Sequence, residues 1–303
     1  MISRLVIAGG GPNFISHLGI MDEYLSSGLL DMNNVSSCYA TSAGTVICIL
    51  LCMRIPISEL IEYFTYRPWD KWFKIDTTVF NMKCLCHSDA LREAIRPFFD
   101  AYDIPIDITM SQFRVRFGTE LHFFACELDS LEITDFTSAT HPDLPVVDAG
   151  IMSASLPPLY PPLLYNGKYY VDGAFGNAFP VTECLKTCSP DEVLAIDNAY
   201  PQSNLDFDKI SIFNVLSHIL GVLVTKSNSN ATNVASAHLC KHFISNMASS
   251  MLGADLWKHF LTSSETRKNM IESGRETVRK HFNKLTKPNI VEDLFLDVIV
   301  VNS

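Results

Sequence analysis

The chain is short of charge. Of its 303 residues only 18% are Asp, Glu, Lys or Arg, while 48% are hydrophobic; a typical globular chain carries about 25% charged residues. That balance excludes an intrinsically disordered protein and implies a large buried core. Basic residues are the scarcer sign, with 23 Lys and Arg against 33 Asp and Glu and a formal net charge of -10. A polyanion gains nothing from such a partner, so nucleic-acid binding is excluded. Attraction to membranes mainly through anionic lipids is excluded on the same ground. Any lipid contact is expected to be local and apolar.

Long apolar runs are also missing. Val46 to Met53 is the longest, far below the ~20 residues that span a bilayer. At the N-terminus Gly9 to Gly11 arrive too early for the apolar core of a signal peptide. The nine cysteines, an odd number, are read as reduced thiols. A cytoplasmic protein, peripheral at membranes if it meets them, is therefore expected. With no internal repeat or low-complexity linker, one domain over residues 1–303 is expected, its motif core at about 3–200 and a helical segment at about 207–303.

What is present follows an α/β pattern. Ser3 to Ala8 reads as a strand running into Gly9-Gly10-Gly11-Pro12, and Ile15 to Leu25 has helical apolar spacing. A second strand, Val35 to Ala40, leads into Thr41-Ser42-Ala43-Gly44 and another helix. Such an order belongs to a largely parallel sheet with its ligand site at the carboxyl ends of the strands. Residues 57–118 read as mostly helical, suited to a cap, and Leu121 to Cys126 with Glu132 to Phe136 as a strand pair. "VVDAGIMSASLPPLYPP" reads as a short helix stopped by Pro157 and Pro158. Everything from Phe207 onward reads as helical, including the stripes Ile210 to Val224 and Phe243 to Leu261, which suit either core packing or a lipid-facing lid.

Three features carry chemistry. Successive glycines let backbone N–H groups converge, and such a nest binds a phosphate or a developing oxyanion; a dinucleotide site is disfavoured because Phe14 falls at the last glycine of G-x-G-x-x-G. Ser42 has small neighbours where a serine nucleophile is presented on a strand-to-helix turn, though Ala40 takes the place of the first glycine of G-x-S-x-G. Asp172 stands at a strand end beside Gly173. Taken singly, each has a plainer reading as a tight loop, a helix N-cap and a turn former. In chain order they supply the anion nest, nucleophile and carboxylate that acyl transfer needs.

Rival sites have less support. Cys84-Leu85-Cys86-His87 offers three soft ligands with no second pair at ribbon spacing. His238 and His242 are spaced i, i+4 on an expected helix but lack the glutamate of a metalloprotease motif. His17 reads as a packed helix residue, and His122 and His141 lie in no recognisable triad context.

The ordered set Gly9-Gly10-Gly11-Pro12-Asn13-Phe14, His17-Leu18-Gly19, Ala40-Thr41-Ser42-Ala43-Gly44 and Asp172-Gly173-Ala174 resembles the patatin-like phospholipases. That family carries G-G-G-x-R/K-G, H-x-G, G-x-S-x-G and D-G-G/A, and the likeness runs over roughly residues 3–200. The resemblance implies a mostly parallel central sheet flanked by helices, with a helical cap. It also implies a Ser-Asp dyad of Ser42 and Asp172, an oxyanion hole from the Gly9, Gly10 and Gly11 loop, and no metal or cofactor. Its substrates would be phospholipids or lysophospholipids. Asn13 stands where the family has a basic residue and Phe14 where it has glycine, which bears on the loop's shape and on oxyanion geometry. Two alternatives stay open: a family member without catalysis that binds lipid or protein, and a hydrolase or transferase acting on neutral lipids.

Overall fold

Alternation of side chains along the strands sets the architecture. In β1 (Arg4–Ile7) Leu5 and Ile7 enter one core while Val6 enters another, as the two-residue period of a strand requires. A strand buried on both faces belongs in the parallel centre of a sheet. β1 lies there, between β2 (Ser37–Thr41) and β7 (Val193–Ala199), both parallel to it. β3 (Glu120–Glu127) adds in parallel beyond β2, and β8 (His242–Met247) beyond β7. The other flank is antiparallel: β4 (Ile133–Phe136) and β6 (Lys168–Asp172) both pair with β3, and β5 (Leu163–Tyr165) pairs with β6. The sheet is thus mixed, parallel through its centre and antiparallel at one edge. The computed structural model describes residues 1–72, 89–200, 231–248 and 254–286, with isolated positions between 215 and 222.

Helices cover both faces unequally. The larger core is built by α1 (Phe14–Ser26), α2 (Ala43–Cys52), α3 (Ile57–Tyr66), the short α4 (Trp69–Trp72), α5 (Ala90–Ala101), α6 (Met110–Phe117) and α7 (Val146–Ser153). The smaller core lies under α8 (Val181–Leu185) and α9 (Ala231–Leu239). The apolar run of α2 is buried on every side from Gly44 to Cys52, as a helix without a polar face must be. Against the larger core also pack α10 (Ala254–Thr262) and α11 (Ser264–Thr286).

α1 and α11 cross main chain against main chain. A Cβ on Gly19 would collide with the Ile271 carbonyl, and one on Gly274 with that of Ser16. Arg275 pairs with Asp22 at 2.8 Å and Arg279 with Glu23 at 2.6 Å beside this crossing. The C-terminal helix is thereby fixed to the helix that follows the glycine loop.

One expectation fails on the period. His242–Met247 is a strand on the sheet, not part of a helix: His242, Ile244 and Asn246 are buried while Ser245 and Met247 are exposed. Its adjacent apolar residues, Phe243 and Ile244, gave a false helical signal. His238 therefore sits on α9 and His242 on β8, so they do not share a helix face. Most of the Ile210 to Val224 stripe and all of Cys84 to His87 lie outside the described residues. Among the described residues no helix is long and apolar enough to cross a membrane.

Candidate active site

Strand β2 ends at Thr41, helix α2 begins at Ala43, and Ser42 between them has φ 55° and ψ -132°. That left-handed region is strained for a residue with a side chain, and it turns the hydroxyl out of the strand-to-helix bend. Gly44 is obligatory, since a Cβ there would lie 2.6 Å from the Ile7 carbonyl oxygen and 2.9 Å from that of Ala8. Ala40 is different: it lies in β2 between Ile7 and Phe123, fully buried, and is not among the residues of positive φ. A strand position with ordinary dihedrals accepts a methyl, which explains why the first glycine of the elbow is dispensable.

The strained serine is held from below. Its N–H donates to the Ser153 hydroxyl at 2.9 Å, and that hydroxyl donates to the Phe124 carbonyl at 2.6 Å. Two residues on, the Ser155 carbonyl accepts the N–H of Asp172 at 2.9 Å. The stretch Ser153-Ala154-Ser155 therefore fixes both halves of the site. Sequence reading took this stretch for the end of a short helix and assigned its serines no part.

Asp172 closes β6 and is 1% exposed. Its Oδ2 accepts the Ser42 hydroxyl at 2.6 Å and its Oδ1 accepts the Ala174 N–H at 2.9 Å. Gly173 follows because a Cβ there would run into the Phe124 carbonyl. Burial raises the Asp172 carboxyl to about 7, opposed in part by the hydrogen bonds from Ser42 and Ala174. A carboxylate is ordinarily a poor base for a hydroxyl, and desolvation of this kind moves it toward the basicity that proton transfer at neutral pH requires.

The glycine loop lies across Ser42. A Cβ on Gly9 would stand 2.8 Å from Ser42 Cβ, so Gly9 permits the close approach. Its N–H donates to the Ala178 carbonyl at 3.1 Å, which corrects the expectation that Gly9 serves as an oxyanion donor. Pro12 has no N–H, and the Asn13 and Phe14 amides turn back onto Gly10, Gly11 and Pro12 carbonyls. Among the described residues the N–H groups of Gly10 and Gly11 are without a protein acceptor. Phe14 opens α1 with helical dihedrals, φ -53° and ψ -27°, and its ring meets Phe64 at 5.1 Å and Phe260 at 6.0 Å.

Those rings belong to a cavity of about 750 Å³, counting its mouth, with Ser42 and Asp172 in its wall. Phe64, Trp69, Leu91, Ile95, Leu156, Leu159, Trp257 and Phe260 make the rest of the lining almost wholly apolar. Sequence reading did not find this cavity, because its lining is drawn from helices distant in the chain. Among the described residues no histidine bonds to Ser42. His17 is buried against Asn198, His122 pairs with Asp135 at 2.8 Å and stacks on Tyr39, and His141 bonds to Thr140. Among the described residues no cluster of His, Cys, Asp or Glu is arranged to hold a metal ion.

Several known proteins are similar to this chain. A probable lipid hydrolase, 463L, of Invertebrate iridescent virus 6 is 26% identical over 188 residues, 60% of this chain and 63% of the viral one. The match thus spans less than two thirds of that relative's length. The crystal structure of VipD from Legionella pneumophila superposes with a TM-score of 0.59 at 12% identity, covering 93% of this chain and 67% of that one, and so shares the fold. The family model for patatin-like phospholipase matches residues 5–185, more than half of the chain and every element that carries the elbow, the glycine loop and Asp172. The chain belongs to the patatin-like phospholipase family.

Proposed function

We propose that this protein is a lipid acyl hydrolase that cleaves fatty acyl esters of phospholipids or lysophospholipids through a Ser42–Asp172 dyad. The observation that carries the reading is the 2.6 Å hydrogen bond from Ser42 to Asp172 in the wall of an apolar cavity. Family membership and the name of the viral relative support it at the level of lipid hydrolysis.

In this reading the acyl chain lies among the aromatic and aliphatic side chains of the cavity, which places the ester carbonyl at Ser42. The Ser42 Oγ attacks the carbonyl carbon while its proton passes to Asp172 Oδ2. The N–H groups of Gly10 and Gly11 take the negative charge that develops on the carbonyl oxygen. Collapse of the tetrahedral intermediate breaks the bond to the alcohol, which leaves with the proton from Asp172. Water then attacks the acyl-serine carbonyl carbon and gives a proton to Asp172; the bond from that carbon to Ser42 Oγ breaks, the proton returns from Asp172 to Ser42, and free fatty acid is released. Each step uses groups of the chain and water only. Contact with lipid is peripheral and apolar, in keeping with the net charge of -10.

The test is incubation of the purified protein and its Ser42→Ala form with mixed phospholipid and neutral-lipid vesicles, read by mass spectrometry. Fatty acid and lysophospholipid are expected from the parent protein alone. Products confined to neutral glycerides would move the substrate class, and identical products from both proteins would reject the nucleophile.

A further inference from the structure

The two peptide units that carry the Gly10 and Gly11 amides are each pinned by an asparagine. Asn198, at the end of β7, donates through Nδ2 to the Gly9 carbonyl at 2.9 Å. Asn13 donates through Nδ2 to the Gly10 carbonyl at 3.0 Å, and its own N–H donates to the same oxygen at 3.1 Å. Both side chains are buried, at 6% and 2% exposure.

In a planar trans peptide the C=O of one residue and the N–H of the next point in opposite directions. Holding the Gly9 oxygen therefore aims the Gly10 N–H, and holding the Gly10 oxygen aims the Gly11 N–H. These are the two loop amides left without a protein acceptor among the described residues. A glycine-rich loop has little intrinsic preference of its own, since glycine visits both signs of φ readily; Gly11 itself has φ 52°. Outside contacts must supply the orientation.

The Asn198 contact extends one residue further. A carbonyl only accepts, so the Asn198 NH₂ faces Gly9, and its Oδ1 faces His17 Nε2 at 3.1 Å. His17 must then carry its proton on Nε2. Complete burial keeps the ring neutral by lowering its pKa to about 4, which suits a fixed donor and unsuits a base. Its Nδ1 is buried with no partner among the described residues.

We infer that Asn13, Asn198 and His17 are positioning residues that aim the Gly10 and Gly11 amides at the developing oxyanion. The residue that departs from the family's basic position thus gains a role, with charge replaced by a buried amide donor. This inference rests on the hydrolase reading for its catalytic consequence, but its geometric content is separable.

The experiment compares Asn13→Asp, Asn198→Asp, His17→Leu and His17→Gln with the parent protein. Readouts are kcat and KM on a nitrophenyl ester, thermal midpoint, and the Gly10 and Gly11 amide resonances of 15N-glycine-labelled protein. The Asp variants keep shape and lose the donor; Asn13→Ser and Asn198→Ser replace any that does not fold. Expected is a loss of kcat of roughly 10- to 100-fold with KM little changed, the size seen when an outer supporting contact is removed. The Gly10 resonance should move in the Asn198 and His17→Leu variants and the Gly11 resonance in the Asn13 variant. His17→Gln, which retains a donor, should recover activity that His17→Leu loses. Unmoved resonances overturn the inference, whether or not kcat falls. If the parent and Ser42→Ala proteins are equally active, the hydrolase reading fails, and the resonances alone decide the brace.

Discussion

The amide of Ser42 and the hydroxyl of Ser153 are 2.9 Å apart, and this bond ties the strained elbow to the end of α7. Ser153→Ala removes the acceptor for a buried N–H and the donor to the Phe124 carbonyl. Leaving such groups unpaired costs about 1–3 kcal/mol. Urea denaturation should show that loss together with a fall in kcat, and Ser153→Thr, which keeps the hydroxyl, should lose less. An Ser153→Ala protein of unchanged stability and turnover would mean that the elbow holds its own conformation.

Ser42→Ala and Asp172→Asn should each retain the fold and lose ester turnover by roughly 10³-fold or more, as when a member of a catalytic serine unit is removed. Labelling by a fluorophosphonate probe should vanish in Ser42→Ala and slow greatly in Asp172→Asn. A fully labelled Asp172→Asn protein would remove the carboxylate from the mechanism.

Asp172 also links activity and stability to pH in opposite senses. Its carboxyl titrates near 7 in the fold and near 4 when unfolded, so between these values the folded state binds the extra proton. Stability contributed by this group is therefore present below about pH 4 and declines as pH rises to about 7, by an amount on the order of a few kcal/mol. Turnover, which needs the ionised form, should rise over the same interval with a midpoint near 7. Asp172→Asn should flatten the stability profile, and thermal midpoints of the two proteins across pH 4 to 8 measure this.

The two small residues of the elbow should respond unequally. Gly44→Ala drives a methyl into the Ile7 and Ala8 carbonyls and should abolish activity with severe loss of stability. Ala40→Gly removes a buried methyl from a strand and should cost about 1 kcal/mol, with turnover nearly retained. Equal effects at both positions, seen by calorimetry and ester assay, would contradict the packing described for α2.

Phe14 should set acyl preference. Its ring closes one side of the cavity against Phe64 and Phe260. Phe14→Ala should shift the preferred chain toward longer or bulkier acyl groups in a nitrophenyl ester series, with kcat on short esters less affected. A preference unaltered across the series would place the chain elsewhere.

Much of this site was legible because its parts are local. Gly9 to Gly11, Ser42 with Gly44, and Asp172 with Gly173 each depend on a backbone requirement within a few residues, and such requirements leave fixed marks in the sequence. What escaped reading depends on contacts between distant segments. Ser153 and Asn198 matter for the oxygen or amide each presents to a loop far away in the chain, and neither has a spacing that signals this. The carbonyl of Ala178 took the Gly9 amide out of the site in the same way. β8 was misread as helix because a short strand with neighbouring apolar residues is ambiguous in period, and its place is set by pairing with β7.

The segment after Asp172 touches more than the carboxylate. Asn177 accepts the Thr41 hydroxyl at 2.7 Å and Ala178 accepts the Gly9 amide at 3.1 Å, so one short stretch of main chain is stitched to the ends of both β1 and β2. Asp172, Ser42 and the glycine loop are thereby geared together. Displacing the 173–178 stretch, by proteolysis or by an inserted residue, would disengage all three at once, and damage there would register as an abrupt switch-off with no graded decline in rate.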